Sequence, residues 1–283
     1  MNVSDALDKK PKRFAALVLA ADRTSKDPIT QHTGVACKAF APVGGVPMII
    51  RVLDTLAACD LITTIILCGP PEALHTHCPE LKQRIASGQV IWLPNLDSPS
   101  RSAESGLSRV PSDTPVLLTT ADHALLTPGI VQNFLRDSLA TQCDATVGVI
   151  RQQDIAAAFP GSKRTVIRLR DGGFCGCNLF TFNPRGRPLV GFWRQAEELR
   201  KRPWRLIGQV LGFRMVLSYL FGLLTLQQAF EGVSEKSGVK IQAIRLDDPR
   251  AGVDVDKVED LVLAESIINR KPQAFHNDNP SVE

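Results

Sequence analysis

Apolar positions along this chain follow two rhythms. Short strand-like runs, mostly continuous in apolar or β-branched residues, recur at 15–19, 64–68, 90–93, 116–119, 145–150 and 241–246. Between them, apolar residues return every three or four positions over 48–59, 71–87, 102–110, 128–141 and 258–268. Continuous runs suit strands buried on both faces, and the second spacing suits helices with one apolar side. Their alternation predicts βαβ units and an α/β fold: a three-layer, mainly parallel sheet with helices on both faces.

Two regions break the alternation. Residues 159–182, with a turn at Asp171-Gly172-Gly173, read as extended strands lying antiparallel over one end of the sheet. Residues 191–238 read as a helical insertion near the C-terminal third, with a basic start, "RQAEELRKRPWR". The polar ends, 1–13 and 271–283, lack periodicity and are predicted to be disordered, leaving one domain over 14–270.

Composition narrows this picture slightly. The chain has 283 residues, is 44% hydrophobic and 22% charged, and carries a formal charge of +4, too mild to suggest a nucleic-acid partner. The first apolar run follows "DKKPKR" and has the character of a strand instead of a secretory signal, so a cytoplasmic location is predicted. Seven scattered cysteines fit reduced thiols used as small apolar residues. The leucine-rich stretch 206–230 is interrupted by Arg214 and glutamines, and its uncharged part is shorter than the ~20 residues a membrane span needs.

Candidate chemistry sits where strands end. "FAALVLAADR" stops abruptly on Asp22 and Arg23, at the edge where open α/β sheets bind ligands. The polar loop that follows closes on Lys38, so each of its ends carries a cation suited to a polyphosphate; a solvated surface loop would have the same composition. In "VLLTTADHALLTP", Asp122 lies just past a strand end, placed either to hold Mg²⁺ through oxygen or to cap a turn. In "AGVDVDKVEDLVLAE", alternation aims Asp254 and Asp256 the same way ahead of a helix, as metal ligands or as caps.

Taken in order, these pieces resemble a MobA-like nucleotidyltransferase of the glycosyltransferase-A type fold. The resemblance runs from about Phe14 to Ile268 and rests on "LVLAADR", Lys38 with "VGGVPMI", "SRSAESGL", "TTADHALLTP" and "VDVDKVEDL". It implies that the backbone of Ala20 and Ala21 with Arg23 holds a nucleoside triphosphate, that Lys38 neutralises the α-phosphate, and that Ser102, Ser105 and Gly106 lie against the base. Asp122 and Asp256 would hold Mg²⁺, with Asp254 as substitute. Lys163, Arg164, Arg168, Gly176 and Asn178 would receive a small phosphorylated acceptor such as a sugar, polyol or cofactor-precursor phosphate. The implied reaction is attack of an acceptor phosphate oxygen on the α-phosphorus with loss of pyrophosphate. The chain departs from the family in its first loop, which lacks glycine until Gly34, where the family uses glycines to bring backbone amides close to phosphate.

Other features admit other functions. "HTHC" at 75–78 and the Cys175-Gly-Cys177 pair offer metal-ligand atoms but lack visible partners. Arg194, Arg200, Lys201, Arg202 and Arg205 beside Trp193 and Trp204 suit either an anionic membrane surface or a segment that covers the sheet or builds a homodimer contact. A noncatalytic nucleotide-binding protein and a peripheral membrane scaffold therefore stand beside the transferase.

Overall fold

Every residue of β1 (Phe14–Leu19) is buried, and its alternate side chains feed two cores: Ala16 and Val18 face one, Ala15, Leu17 and Leu19 the other. That two-sided burial explains the absence of polar alternation in the strand. The computed structural model describes residues 13–20, 27–199 and 212–269.

After β1 come α1 (Pro28–Thr33), a small hairpin of β2 (Pro42–Val43) and β3 (Val46–Pro47), α2 (Met48–Ala57) and β4 (Ile62–Cys68). Next are α3 (Pro79–Ala86), β5 (Ile91–Leu93), α4 (Pro99–Leu107), β6 (Val116–Thr120) and α5 (Pro128–Ala140). The chain continues through β7 (Ala145–Arg151), α6 (Gln152–Ala158), β8 (Ile167–Leu169) and β9 (Gly172–Phe182). It then runs through α7 (Leu189–Leu199), α8 (Phe213–Leu220), α9 (Leu226–Ser237), β10 (Ile241–Arg245) and α10 (Val258–Asn269).

The eight-stranded sheet has the order β10-β7-β9-β6-β1-β4-β5, with β8 paired to β9. β1 is parallel to both β4 and β6, β4 to β5, and β10 to β7, while β9 is antiparallel to β6 and β7. The expected α/β class and helix-covered, mainly parallel sheet are present. The chain leaves β1 toward β4, whereas β6 lies on the other side. The carboxyl ends of β1 and β6 therefore flank a switch point where a ligand crevice can open.

Three expectations need correction. The segment 159–182 does not lie over an end of the sheet: β9 enters its interior. Cys175, Cys177 and Leu179 fill one core and Phe182 the other, so this strand is apolar on both faces and belongs between neighbours. The helix expected over 71–87 breaks into a 3₁₀ turn at Glu72–His77 and α3, because Pro79 disfavours helical geometry at Cys78, which has φ −139° and ψ 82°. α4 begins at Pro99, ahead of the expected 102, because the Ser98 side chain accepts the Arg101 N–H and proline suits the first helical position.

Residues 200–211, which carry Arg200, Lys201, Arg202, Trp204 and Arg205, lie outside the described residues. Around them, α7 packs on α4 and α9 packs on β10. No described helix is long and apolar enough to cross a membrane.

Gly106 of α4 faces the sheet: a Cβ there would meet the Leu17 methyls at 2.3 and 2.9 Å and Cys68 Sγ at 3.2 Å. Leu17 is fully buried and Cys68 is 0% exposed, so neither can retreat into solvent. Gly106→Val should lower stability by about 2 kcal/mol through overpacking, read as a lower midpoint in urea unfolding. An unchanged midpoint would mean that α4 stands off the sheet.

Candidate active site

An apolar cluster fastens together the segments that carry the charged groups. Ile29 of α1, Val43 and Met48 around the hairpin, Ala124 and Leu125 after β6, Val253 and Val255, and Leu261 and Ala264 of α10 pack into one core. Because Val253 and Val255 point inward, extended-chain alternation turns Asp254 and Asp256 outward. The Val255 N–H donates to the Asp122 carbonyl over 3.0 Å, which sets the Asp254–Asp256 segment beside the end of β6. Asp260 then takes the N–H groups of Asp256 and Lys257 at 3.1 Å each, capping the start of α10.

Lys38, at the head of a 3₁₀ turn (Lys38–Phe40), reaches into this convergence. Its Nζ lies 2.8 Å from Asp122 Oδ2 and 2.8 Å from Asp256 Oδ1. Burial works against the ammonium charge, but Asp122 and Asp256 outweigh it and hold Lys38 above the ordinary lysine value. The other carboxylate oxygen of Asp122, Oδ1, is buried with no hydrogen-bond partner.

Asp254 is engaged differently. Arg164 Nη1 donates to its Oδ1 at 2.8 Å and to its carbonyl at 2.7 Å, and Asn178 Nδ2 donates to its Oδ2 at 2.9 Å. Arg164 also pairs with Asp260 at 3.0 Å and is only 8% exposed, so it acts as an internal strut between Asp254 and the α10 cap. Burial, then the neighbouring Asp122 and Asp256 charges, raise the Asp254 carboxyl above its usual range, against the pull of Arg164. Asn178 sits at φ 47°, a left-handed conformation in which asparagine is favoured. It falls where the β7–β9 register shifts between Val147 and Val149, and such an irregularity re-aims a side chain out of the sheet.

Around these charges opens a cleft of about 380 Å³. Ala20, Lys38, Ser102, Thr120, Asp122, Asn178, Asp254 and Asp256 line it, joined by Leu118, Phe180 and Trp193. An adjoining cleft of about 380 Å³ shares Asn178, Asp254 and Asp256 and adds Lys163, Arg164, Gly176 and Lys257. Lys38, Asp122, Asp256, Asp254 and Asn178 thus come together. Ser102 lines the first cleft, but its hydroxyl accepts the Leu96 N–H at 2.8 Å. Neither Ser105 nor Gly106 is among the described lining residues. Arg168 is exposed on β8 and lines neither cleft. Ala21 and Arg23 lie outside the described residues.

Several contributors had little sequence signal. Thr120 brings a buried, unpartnered hydroxyl oxygen to the cleft and is the last residue of an apolar run. Trp193 belongs to the segment with the basic start, yet it packs against the core and lines the cleft, while Arg194 pairs with Glu104 at 2.7 Å. His75 bonds the Pro70 carbonyl at 3.1 Å and meets Trp92 edge-on at 5.1 Å, so "HTHC" serves packing. Cys175 and Cys177 are buried along β9, and burial raises both thiols.

The residues present fit a divalent cation. Two carboxylate oxygens converge on one positive centre, and Asp122 Oδ1 is left over for a further ligand bond. Among the described residues no group of three or more His, Cys, Asp or Glu side chains can hold a metal, and a two-carboxylate site would suit Mg²⁺, which keeps several waters.

A profile for the MobA-like NTP transferase domain matches residues 16–211. The chain belongs to this family. No curated protein matched the chain. Among solved structures, a hypothetical transferase from Thermus thermophilus superposes with a TM-score of 0.72 at 30% identity, covering 88% of this chain and 99% of its own. The 4-diphosphocytidyl-2C-methyl-D-erythritol synthase of Anaerococcus prevotii gives 0.54 at 15% identity, covering 92% and 99%. A CMP:2-keto-3-deoxy-manno-octonic acid synthetase complexed with CTP gives 0.57 at 12% identity, covering 90% and 98%. The last two likenesses are of fold.

His123, next to Asp122, is buried at 1% exposure, and desolvation pushes its imidazole down to about 4 in spite of the adjacent carboxylate. It is therefore neutral in the fold. Between the ordinary value of 6.5 and about 4 the unfolded chain binds the extra proton, so the fold loses stability as pH falls through that window. The loss amounts to about 3 kcal/mol. Urea unfolding in EDTA should show this acid slope in the wild type and a shallower one in His123→Leu. Parallel profiles would mean that the imidazole is solvated.

Proposed function

We propose that the protein transfers a nucleoside monophosphate from a nucleoside triphosphate to a small phosphorylated acceptor and releases pyrophosphate. The observation that carries this reading is the convergence of Lys38, Asp122 and Asp256 at the switch point of a sheet that belongs to a nucleotidyltransferase family. CTP is the first nucleotide to test, since one structure of the same fold was solved with it.

The chemistry asks for charge management more than for proton transfer. The acceptor phosphate oxygen is already anionic near neutral pH and needs no general base. It forms a new P–O bond to the α-phosphorus as the α–β bridging bond breaks, and pyrophosphate leaves with the electron pair. Lys38, released from Asp122 and Asp256 as metal nucleotide binds, faces the developing charge as a permanent cation in a partly desolvated cleft. Asp122 and Asp256 would hold Mg²⁺, which when bound neutralises phosphate oxygens. Ala20, whose own N–H is used by the Cys68 carbonyl at 2.9 Å, supplies a cleft wall lacking a side chain beyond Cβ. Residues 21–26, the part of the loop that follows Ala20, lie outside the described residues.

On the acceptor side, Lys163, Gly176 and Asn178 lie along the adjoining cleft, and Lys257 joins them as a second exposed ammonium. Arg164 contributes by holding Asp254 and Asp260 in place, and Ser102 borders the nucleotide side.

Pyrophosphate release should require a nucleoside triphosphate, a divalent cation and a phosphorylated acceptor together. Asp122→Asn should reduce kcat/KM about a hundredfold or more, because it removes an anion from the site that assembles the cation. Full turnover by that variant, with its fold intact by circular dichroism, would overturn the transfer reading.

A further inference from the structure

The cleft has an apolar continuation. Beside it lies a cavity of about 260 Å³, walled by the sheet on one side and by α7 and α9 on the other. Leu118, Phe180 and Trp193 line both spaces, so the two adjoin. Val147, Phe230 and Val233 line only the apolar part.

This space differs from a filled core. Val147, Phe180, Trp193, Phe230 and Val233 pack against the buried cluster yet stay only partly buried themselves. Besides the Trp193 indole, the polar side chain among the described wall residues is Thr146, which spends its hydroxyl on Ser138 at 2.7 Å and Thr181 at 2.6 Å. These side chains leave at most the indole N–H for a polar ligand, fewer than the two to four partners an ordered water takes. Side chains left half-covered in a concave space beside a charged cleft mark a site for an apolar group.

We propose that the acceptor is amphiphilic: its phosphate lies in the charged cleft and its apolar ring or chain fills the cavity between the sheet, α7 and α9. This rests on the transfer reading for the phosphate end and on the cavity alone for the apolar end. A polyol or sugar phosphate would leave the cavity empty. The shared wall of Leu118, Phe180 and Trp193 carries the substrate from one environment to the other.

Binding of n-alkyl phosphates to the full chain by titration calorimetry tests this, with ethyl and n-octyl phosphate as probes below their aggregation concentration. Each buried methylene strengthens binding about fourfold, so octyl phosphate should bind at least about tenfold tighter than ethyl phosphate. Val233→Phe, which fills the cavity without touching the charged cleft, should erase that gain. Equal affinities in the wild type would overturn the proposal without recourse to any variant. So would a gain that survives Val233→Phe and disappears when Phe213 and Leu220, exposed on α8, are changed to serine, since the chain would then lie on the outer surface. Running the same phosphates as acceptors separates the two readings. Chain-dependent binding without pyrophosphate release would keep the cavity and refute transfer. Turnover of glycerol phosphate with no chain-length dependence would keep transfer and refute the cavity.

Discussion

Three charges meeting at one point organise this protein: the Lys38 ammonium held at 2.8 Å by carboxylates from two other parts of the chain. Two carboxylates brought this close repel each other unless a cation stands between them. The fold supplies that cation from its own sequence. It also supplies the apolar cluster that forces the meeting, in which Val253 and Val255 point into the core so that Asp254 and Asp256 must point out. Burying those valines is favourable whatever the ligand state, so hydrophobic packing holds the charged cluster in place.

Much of the sheet was legible in the chain. Continuous apolar runs marked β1, β4, β6 and β7 because strands largely covered on both faces need no alternation, whereas β10, at the sheet edge, exposes Gln242 and Arg245. The misplaced element was β9. Its hairpin turn and extended character were visible, yet nothing local distinguishes a strand at a sheet's edge from one between two others. That choice depends on whether both edges of the strand find backbone partners, and these are β6 and β7, earlier in the chain. The helix over 71–87 failed for a local reason, the proline at 79, which the apolar spacing alone conceals.

The candidate site was legible in unequal measure. Asp122 was marked by its place just past a strand end, Lys38 by closing the polar loop after β1, and Asp254 and Asp256 by their alternation ahead of a helix. Arg164 was visible as a cation, but its side chain is 8% exposed and spent on Asp254 and Asp260, a commitment that depends on tertiary placement. Gly106 sat inside a family motif, whereas its place in the structure follows from close packing of α4 on Leu17. Trp193 was read with its basic neighbours. Its ring instead joins the core cluster and forms the shared wall between the charged cleft and the apolar cavity.

The central claim is that Asp122 and Asp256 form one cation site that Lys38 fills until a metal nucleotide arrives. A crystal structure with Mn²⁺ and a nonhydrolysable triphosphate, with manganese located by its anomalous scattering, tests it most directly. The account predicts one manganese peak in contact with both Asp122 and Asp256, and the Lys38 ammonium moved onto phosphate oxygen. Manganese bound away from either carboxylate, with Lys38 still bridging the pair, would contradict it.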